Sequence, residues 1–256
     1  MSWRRSAAIA RLDLRVILRD SGPIVFLVFM PLVLMAFVKP AFRFALVSAH
    51  PGANGAEQAV PGMIVMFGFF AVGMTGFAFF REHGWNTWDR LRASWATPAE
   101  IMLGKLVIPL VLSVAQVVVL FVLGHVLYGL HVRGSLLALA VVGFGLVACL
   151  LSLALMLVAV FRTIQQVNAA ANIGGLVFAG FGGSLTPLGL LPHWARTIAP
   201  GTPGYWAMRG FRSVILNGAG VRGALPATGV LLAFAAAFGI VAAFRFRMAE
   251  SKTSWA

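Results

Sequence analysis

Five stretches of this chain carry no Asp, Glu, Lys or Arg: residues 23–38, 62–80, 106–128, 136–161 and 225–244. Most reach the roughly 20 residues that a helix needs to cross a bilayer. Hydrocarbon offers no water to a free peptide group, so a run of this kind crosses as a helix that closes its hydrogen bonds internally. Composition agrees. Hydrophobic residues make up 60% of the chain and charged residues 11%, where a soluble domain has about 45–50% apolar and about 25% charged residues. The expected fold is an all-α polytopic membrane protein, residues 1–256 forming a single transmembrane domain.

Six spans are expected, at about 23–38, 63–80, 106–128, 136–161, 169–185 and 225–244. The fifth is rich in Ala and Gly, and Pro31 marks a kink in the first. Ahead of them residues 3–20 read as an amphipathic elbow helix. Trp3, Ala7, Ala10, Leu14, Ile17 and Leu18 share one face, with Arg4, Arg11, Arg15 and Arg19 crowded beside it. That pattern suits a helix lying in the membrane surface among anionic lipid head groups.

Six spans put both termini on one side. The N-terminus, the segment 81–105, the loop at Arg162 and the C-terminal tail hold 13 of the Lys and Arg residues, and the opposite side holds seven. Basic loops stay inside, so both termini are expected in the cytoplasm. Arg outnumbers Lys 17 to three, a composition that suggests a GC-rich bacterial genome, and the expected location is a bacterial plasma membrane. Basic residues precede the first apolar run and small residues follow it near Ser48 and Ala49. The basic part is too long for a signal peptide, however, and the run reads as the first of several spans.

The net charge of +13 does not point to nucleic acid, because the Arg residues sit between apolar runs and form no stripe or tail. The single Cys149 lies inside an apolar run, so there is no disulfide framework and no metal or redox pair. All seven acidic residues map to loops, termini or span ends, which leaves a proton- or sodium-driven carrier without its usual carboxylate.

Segment 81–105, REHGWNTWDRLRASWATPAEIMLGK, interrupts the apolar pattern and holds three of the seven Trp. On a helical projection Trp85, Trp88, Leu91 and Trp95 share a face with Arg92, Glu82 and Asp89 flank it, and Arg90 lies behind. An aromatic belt at the head-group layer and a docking element both fit that face.

Glu82, Thr87, Leu91 and the run PAEIMLGK (98–105) resemble the loop between the second and third spans of type 2 ATP-binding-cassette (ABC) export permeases. That group includes daunorubicin-resistance-type drug exporters and polysaccharide exporters. In it a Glu ends the second span, a Gly-Thr pair and a Leu follow, then a Ser-Pro, and a Gly-Lys opens the third span. This chain has Asn86 where Gly is usual and Trp95 where Pro is usual. Residues 182–212 resemble the same family independently: small residues, Pro187, Leu191-Pro192 with Trp194, Pro200, Pro203 and Arg209. The N-terminal amphipathic helix belongs to the pattern as well.

The resemblance implies one half of an exporter. Such a permease pairs with a second copy or a sister permease, and each binds a separate ATPase subunit on the cytoplasmic side. ATP binding there drives alternating access in the spans. It also implies short helices dipping into the outer leaflet between the fifth and sixth spans. Glu82, Thr87, Trp88, Leu91, Pro98, Gly104 and Lys105 become coupling residues, ATP and Mg belong to the partner, and this chain itself holds no cofactor.

The residues agree that ATP is not hydrolysed here. The Gly104-Lys105 pair is followed by Leu106 and preceded by Ala99, so both the first Gly and the final Ser or Thr of a P-loop are missing. A membrane-embedded enzyme would need paired Asp, a Ser-His pair or a metal cluster, and the five His are scattered with no HExxH. A passive scaffold leaves segment 81–105 without a role. Ala171, Gly175, Ala179 and Gly183 form a small-residue stripe, fit either for packing within the chain or for a dimer contact beside the transport path. Gln116, Asn168 and Asn172 suit interhelical hydrogen bonds or the path itself, and His125 lies within reach of head groups. The expected cargo is an amphipathic drug, a lipid or a lipid-linked glycan.

Overall fold

The computed structural model describes residues 11–15, 19, 22–47, 50–84 and 98–245. Among them the regular elements are helices: α1 (Gly22–Leu46), α2 (Ala56–Gly84), α3 (Pro98–Tyr128), α4 (Leu136–Val160), α5 (Ile164–Phe181), α6 (His193–Ile198), α7 (Pro203–Ile215) and α8 (Val221–Arg245). Two 3-10 turns, Leu188–Leu190 and Ala199–Gly201, flank α6, and residues 11–15 are helical. Five segments are long and apolar enough to cross a membrane: Val25–Leu46, Ala56–Phe77, Gly104–Tyr128, Leu136–Val160 and Val221–Arg245. α5 is not one of them. It has 18 residues, and Gln165, Gln166, Asn168 and Asn172 dilute its apolar character.

The helices overrun the apolar runs. α1 continues past Pro31 and Pro40 to Leu46. α2 begins at Ala56, inside a stretch that reads as polar loop, because Asn54 and Glu57 cap it reciprocally. Asn54 Oδ1 accepts from the Ala56 N–H at 2.8 Å, and Glu57 Oε2 accepts from the N–H groups of Asn54 and Gly55 at 3.0 and 3.1 Å. Gly55, with φ +93°, is the residue just before the helix and its carbonyl accepts from the Ala59 N–H, so Asn54 and Glu57 close the start in the manner of a capping box set one residue earlier, satisfying donors that would otherwise be free. α3 likewise starts at Pro98, where a missing N–H costs nothing.

α2 is the axis of the molecule. In its span 83% of the residues are buried, against 22% for α1 and 28% for α3 and α8. Met63, Ile64, Phe69 and Val72 of α2 meet Leu146 and Cys149 of α4, Val167 and Ala171 of α5, and Met208 and Phe211 of α7 in one continuous core. Phe37, Phe44, Phe144 and Phe244 point outward from the rim. Lipid tails are as apolar as these side chains, so the helices are held by close packing and interhelical hydrogen bonds more than by exclusion of water. α8 runs along α4, and Gly145 lets Thr228 and Leu231 approach its backbone.

Two ends of the bundle can be told apart by their contacts. At the Tyr128 end, Asn54 donates to Gly129 O at 2.7 Å, Arg133 N–H to Ile215 O at 3.2 Å and Gln58 Nε2 to Gly183 O at 2.6 Å. At the other, the Lys105 end, lie the start of α3 and the end of α2. Between α5 and α8 the chain stays at the Tyr128 end and folds inward. Thr202 caps α7, whose face Gly204, Ala207, Met208, Phe211 and Val214 is buried. Phe211 stacks edge-on against Phe121 with ring centroids 5.3 Å apart.

Candidate functional site

At the Lys105 end the N-terminal helical residues meet the foot of α3. Lys105 lies two turns inside α3, and its ammonium sits 3.0 Å from Asp13 Oδ1. Both side chains are almost sealed, Lys105 at 1% and Asp13 at 2% exposure. A charge is stripped of solvent in this way only when paired and hydrogen-bonded. Arg11 and Arg15 on either side of Asp13 are exposed, as is Arg19. The short N-terminal segment therefore turns its acid into the bundle and its cations outward.

Of the residues named from the sequence, Lys105 and Gly104 are buried in the first turns of α3, and Pro98 begins that helix. Glu82 is in the last turn of α2, and only its backbone belongs to the described part. Arg4, Thr87, Trp88 and Leu91 lie outside the described residues. Asp13 is the residue that sequence reasoning missed. On a helical projection it falls on the edge of the apolar face opposite the Arg row, and it is the acid nearest that face. An acid at the edge of a membrane-facing stripe calls for a cationic partner inside, which was the signal available.

α5 carries the second group of named residues. Its small-residue stripe turns onto α2: Ala171 and Ala179 are buried, and a Cβ on Gly175 would stand 3.0 Å from that of Phe69. Asn168 lies against Gly73, and Phe69 and Phe178 hold their rings 5.4 Å apart. Gly183, with φ +81°, takes up the left-handed turn that ends α5. Asn172 is exposed on the opposite side, next to Ile173 and Leu176. Gln116 is buried in α3 with its Nε2 unpaired among the described residues, and His125 Nδ1 stands 2.7 Å from Leu130 O.

A family model described as ABC-2 type transporter matches residues 6–216, taking in the N-terminal helix, the ion pair and the segment between α2 and α3. The chain belongs to the ABC-2 type transporter family. This permease is 33% identical over 164 residues to the linearmycin resistance permease protein LnrN of Bacillus subtilis (strain 168). The match covers 61% of the chain, which spans 40% of that relative's length. No solved structure matches. With five long apolar helices among its described residues, the permease is a multi-pass membrane protein.

Proposed function

We propose that this chain is the membrane-spanning permease subunit of an ABC exporter, moving an amphipathic drug, lipid or lipid-linked glycan out of a bacterial cell. A separate ATPase binds ATP and Mg and supplies the drive, and the chain itself holds no cofactor. The observation that carries this reading is the family match over residues 6–216, which includes the segment 81–105. The similarity to a linearmycin resistance permease favours a drug among the cargo classes.

In this reading α5 acts as a sixth span, both termini are cytoplasmic and α6 and α7 lie in the outer leaflet. The ATPase docks on segment 81–105, with Glu82, Thr87, Trp88 and Leu91 at the contact. Its movement reaches α3 through Pro98 and Gly104, and the Asp13–Lys105 pair makes the N-terminal helix move with the foot of α3. A second permease, identical or related, completes the path against the outward side of α5 around Asn172. Packing of the stripe Ala171, Gly175, Ala179 against α2 supports that choice of side.

Purification of the chain in mild detergent from its native host, followed by mass spectrometry, tests the motor directly. An ABC-type ATPase is expected to co-purify and to be lost when Trp88 and Leu91 are both replaced by Ala. A chain that arrives alone and stays alone with nucleotide present would remove the exporter reading.

A further inference from the structure

An open cavity of about 730 Å³ lies at the Tyr128 end beside the last turns of α1. Its lining brings together Lys39 and Arg43 of α1, Asn54 of the turn before α2 and Tyr128 of α3, with Pro40 and Phe44 as apolar wall. The volume is that of a small-molecule site.

Lys39 and Arg43 are four residues apart on one helix, so they share a face and repel one another. Among the described residues no carboxylate lines the cavity to offset them. Glu57, the acid nearest in sequence, has its Oε2 engaged by the backbone N–H groups of Asn54 and Gly55. Lys39 is held in place by donating to Tyr128 O at 2.9 Å, and an ammonium has two further N–H groups to offer. Arg43 is exposed, and its planar fork matches a phosphate or carboxylate. The free carbonyls at the end of α1 oppose an anion, but they amount to only about half a charge against two full ones.

Apolar surface continues outward from the cations. Phe44, in the cavity wall, is 80% exposed, and Phe37, outside the lining and two turns earlier on α1, is 75% exposed, on the helix with the smallest share of its span buried among the five spans. A ligand here meets positive charge at one end and a bare aromatic rim at the other.

We propose that this cavity is a binding site for an anionic amphiphile, its phosphate or carboxylate paired with Lys39 and Arg43 and its alkyl chain lying along Phe37 and Phe44. The same chemistry has two sources, an anionic lipid of the surrounding bilayer or a free acidic amphiphile. Binding needs neither an ATPase nor transport, so it stands or falls apart from the exporter reading.

The test is thermal unfolding of the full chain in phosphatidylcholine nanodiscs, with phosphatidylglycerol added in one arm and dodecyl phosphate titrated in the other. The variants are Lys39→Gln with Arg43→Gln, in which Gln at 39 can still donate to Tyr128 O, and Arg43→Gln alone. Arg222→Gln, an exposed cation at the same end of the bundle, controls for general surface charge. Stabilisation by phosphatidylglycerol in the wild type and in Arg222→Gln, but not in the double variant, assigns the site to a bilayer lipid. Stabilisation by dodecyl phosphate alone, lost in the double variant, assigns it to a free amphiphile. Should the double variant fail to fold, Arg43→Gln alone is expected to raise the half-maximal dodecyl phosphate concentration about tenfold, the loss of one charge-assisted hydrogen bond. No stabilisation by either probe, or an equal response in Arg43→Gln, overturns the proposal.

Discussion

Asp13 and Lys105 are 92 residues apart in sequence and 3.0 Å apart in space. Removing one member of a sealed pair takes the opposite charge away from the other, at a cost of up to about 3–5 kcal/mol, whereas replacing both by apolar residues of similar volume is often neutral. Asp13→Asn and Lys105→Met are each expected to unfold at markedly lower denaturant concentration. The double variant Asp13→Leu with Lys105→Met should recover most of the loss. Unfolding followed by circular dichroism in detergent checks both, and a double variant as unstable as the sum of the singles would show that the pair contributes no mutual stabilisation. In the sequence, Lys105 was visible through its Gly-Lys motif, but its partner was not, because nothing local ties residue 13 to residue 105.

Among the elements, the apolar runs were legible and their limits were not. Hydropathy finds where a helix is immersed, while caps decide where it begins. α2 starts seven residues before its expected span because Asn54 and Glu57 close it, and in a polar stretch that pairing reads as loop. The stripe on α5 was legible as a packing face, but its partner α2 was a matter of three-dimensional contact. The turn between α5 and α7 depends on two glycines at closest approach. A Cβ on Gly204 would strike the carbonyl oxygen of Phe178, and one on Gly182 would stand 2.6 Å from the backbone of Gly204. Gly229 in α8 has open space beside it. Gly204→Ala should therefore destabilise the protein by about 2 kcal/mol or more, an overpacking cost. Gly229→Ala should be neutral or stabilising by up to about 1 kcal/mol, from helix propensity. Equal melting temperatures for the two variants would contradict the close approach.

For the whole molecule, topology follows from one assignment of the two ends. With Cys149 replaced by Ala, a cysteine at Gly220, exposed at the Tyr128 end, is expected to react with a membrane-impermeant maleimide on intact cells. A cysteine at Arg162, exposed between α4 and α5, should react only after permeabilisation. The reverse pattern would turn the molecule over and move the 81–105 segment away from any cytoplasmic ATPase. Burial of α2 has a further consequence, for how the protein is made. α2 leaves the ribosome soon after α1, yet the residues that enclose it, Ala171, Gly175, Met208 and Phe211, are translated about a hundred residues or more later. Until they arrive, Gln58 lacks the Gly183 carbonyl it donates to, and the bare backbone at Gly73 lacks Asn168 and Ala171. A nascent chain stalled before α5 would thus expose to lipid, or to the insertion machinery, the surface that the finished protein hides most completely.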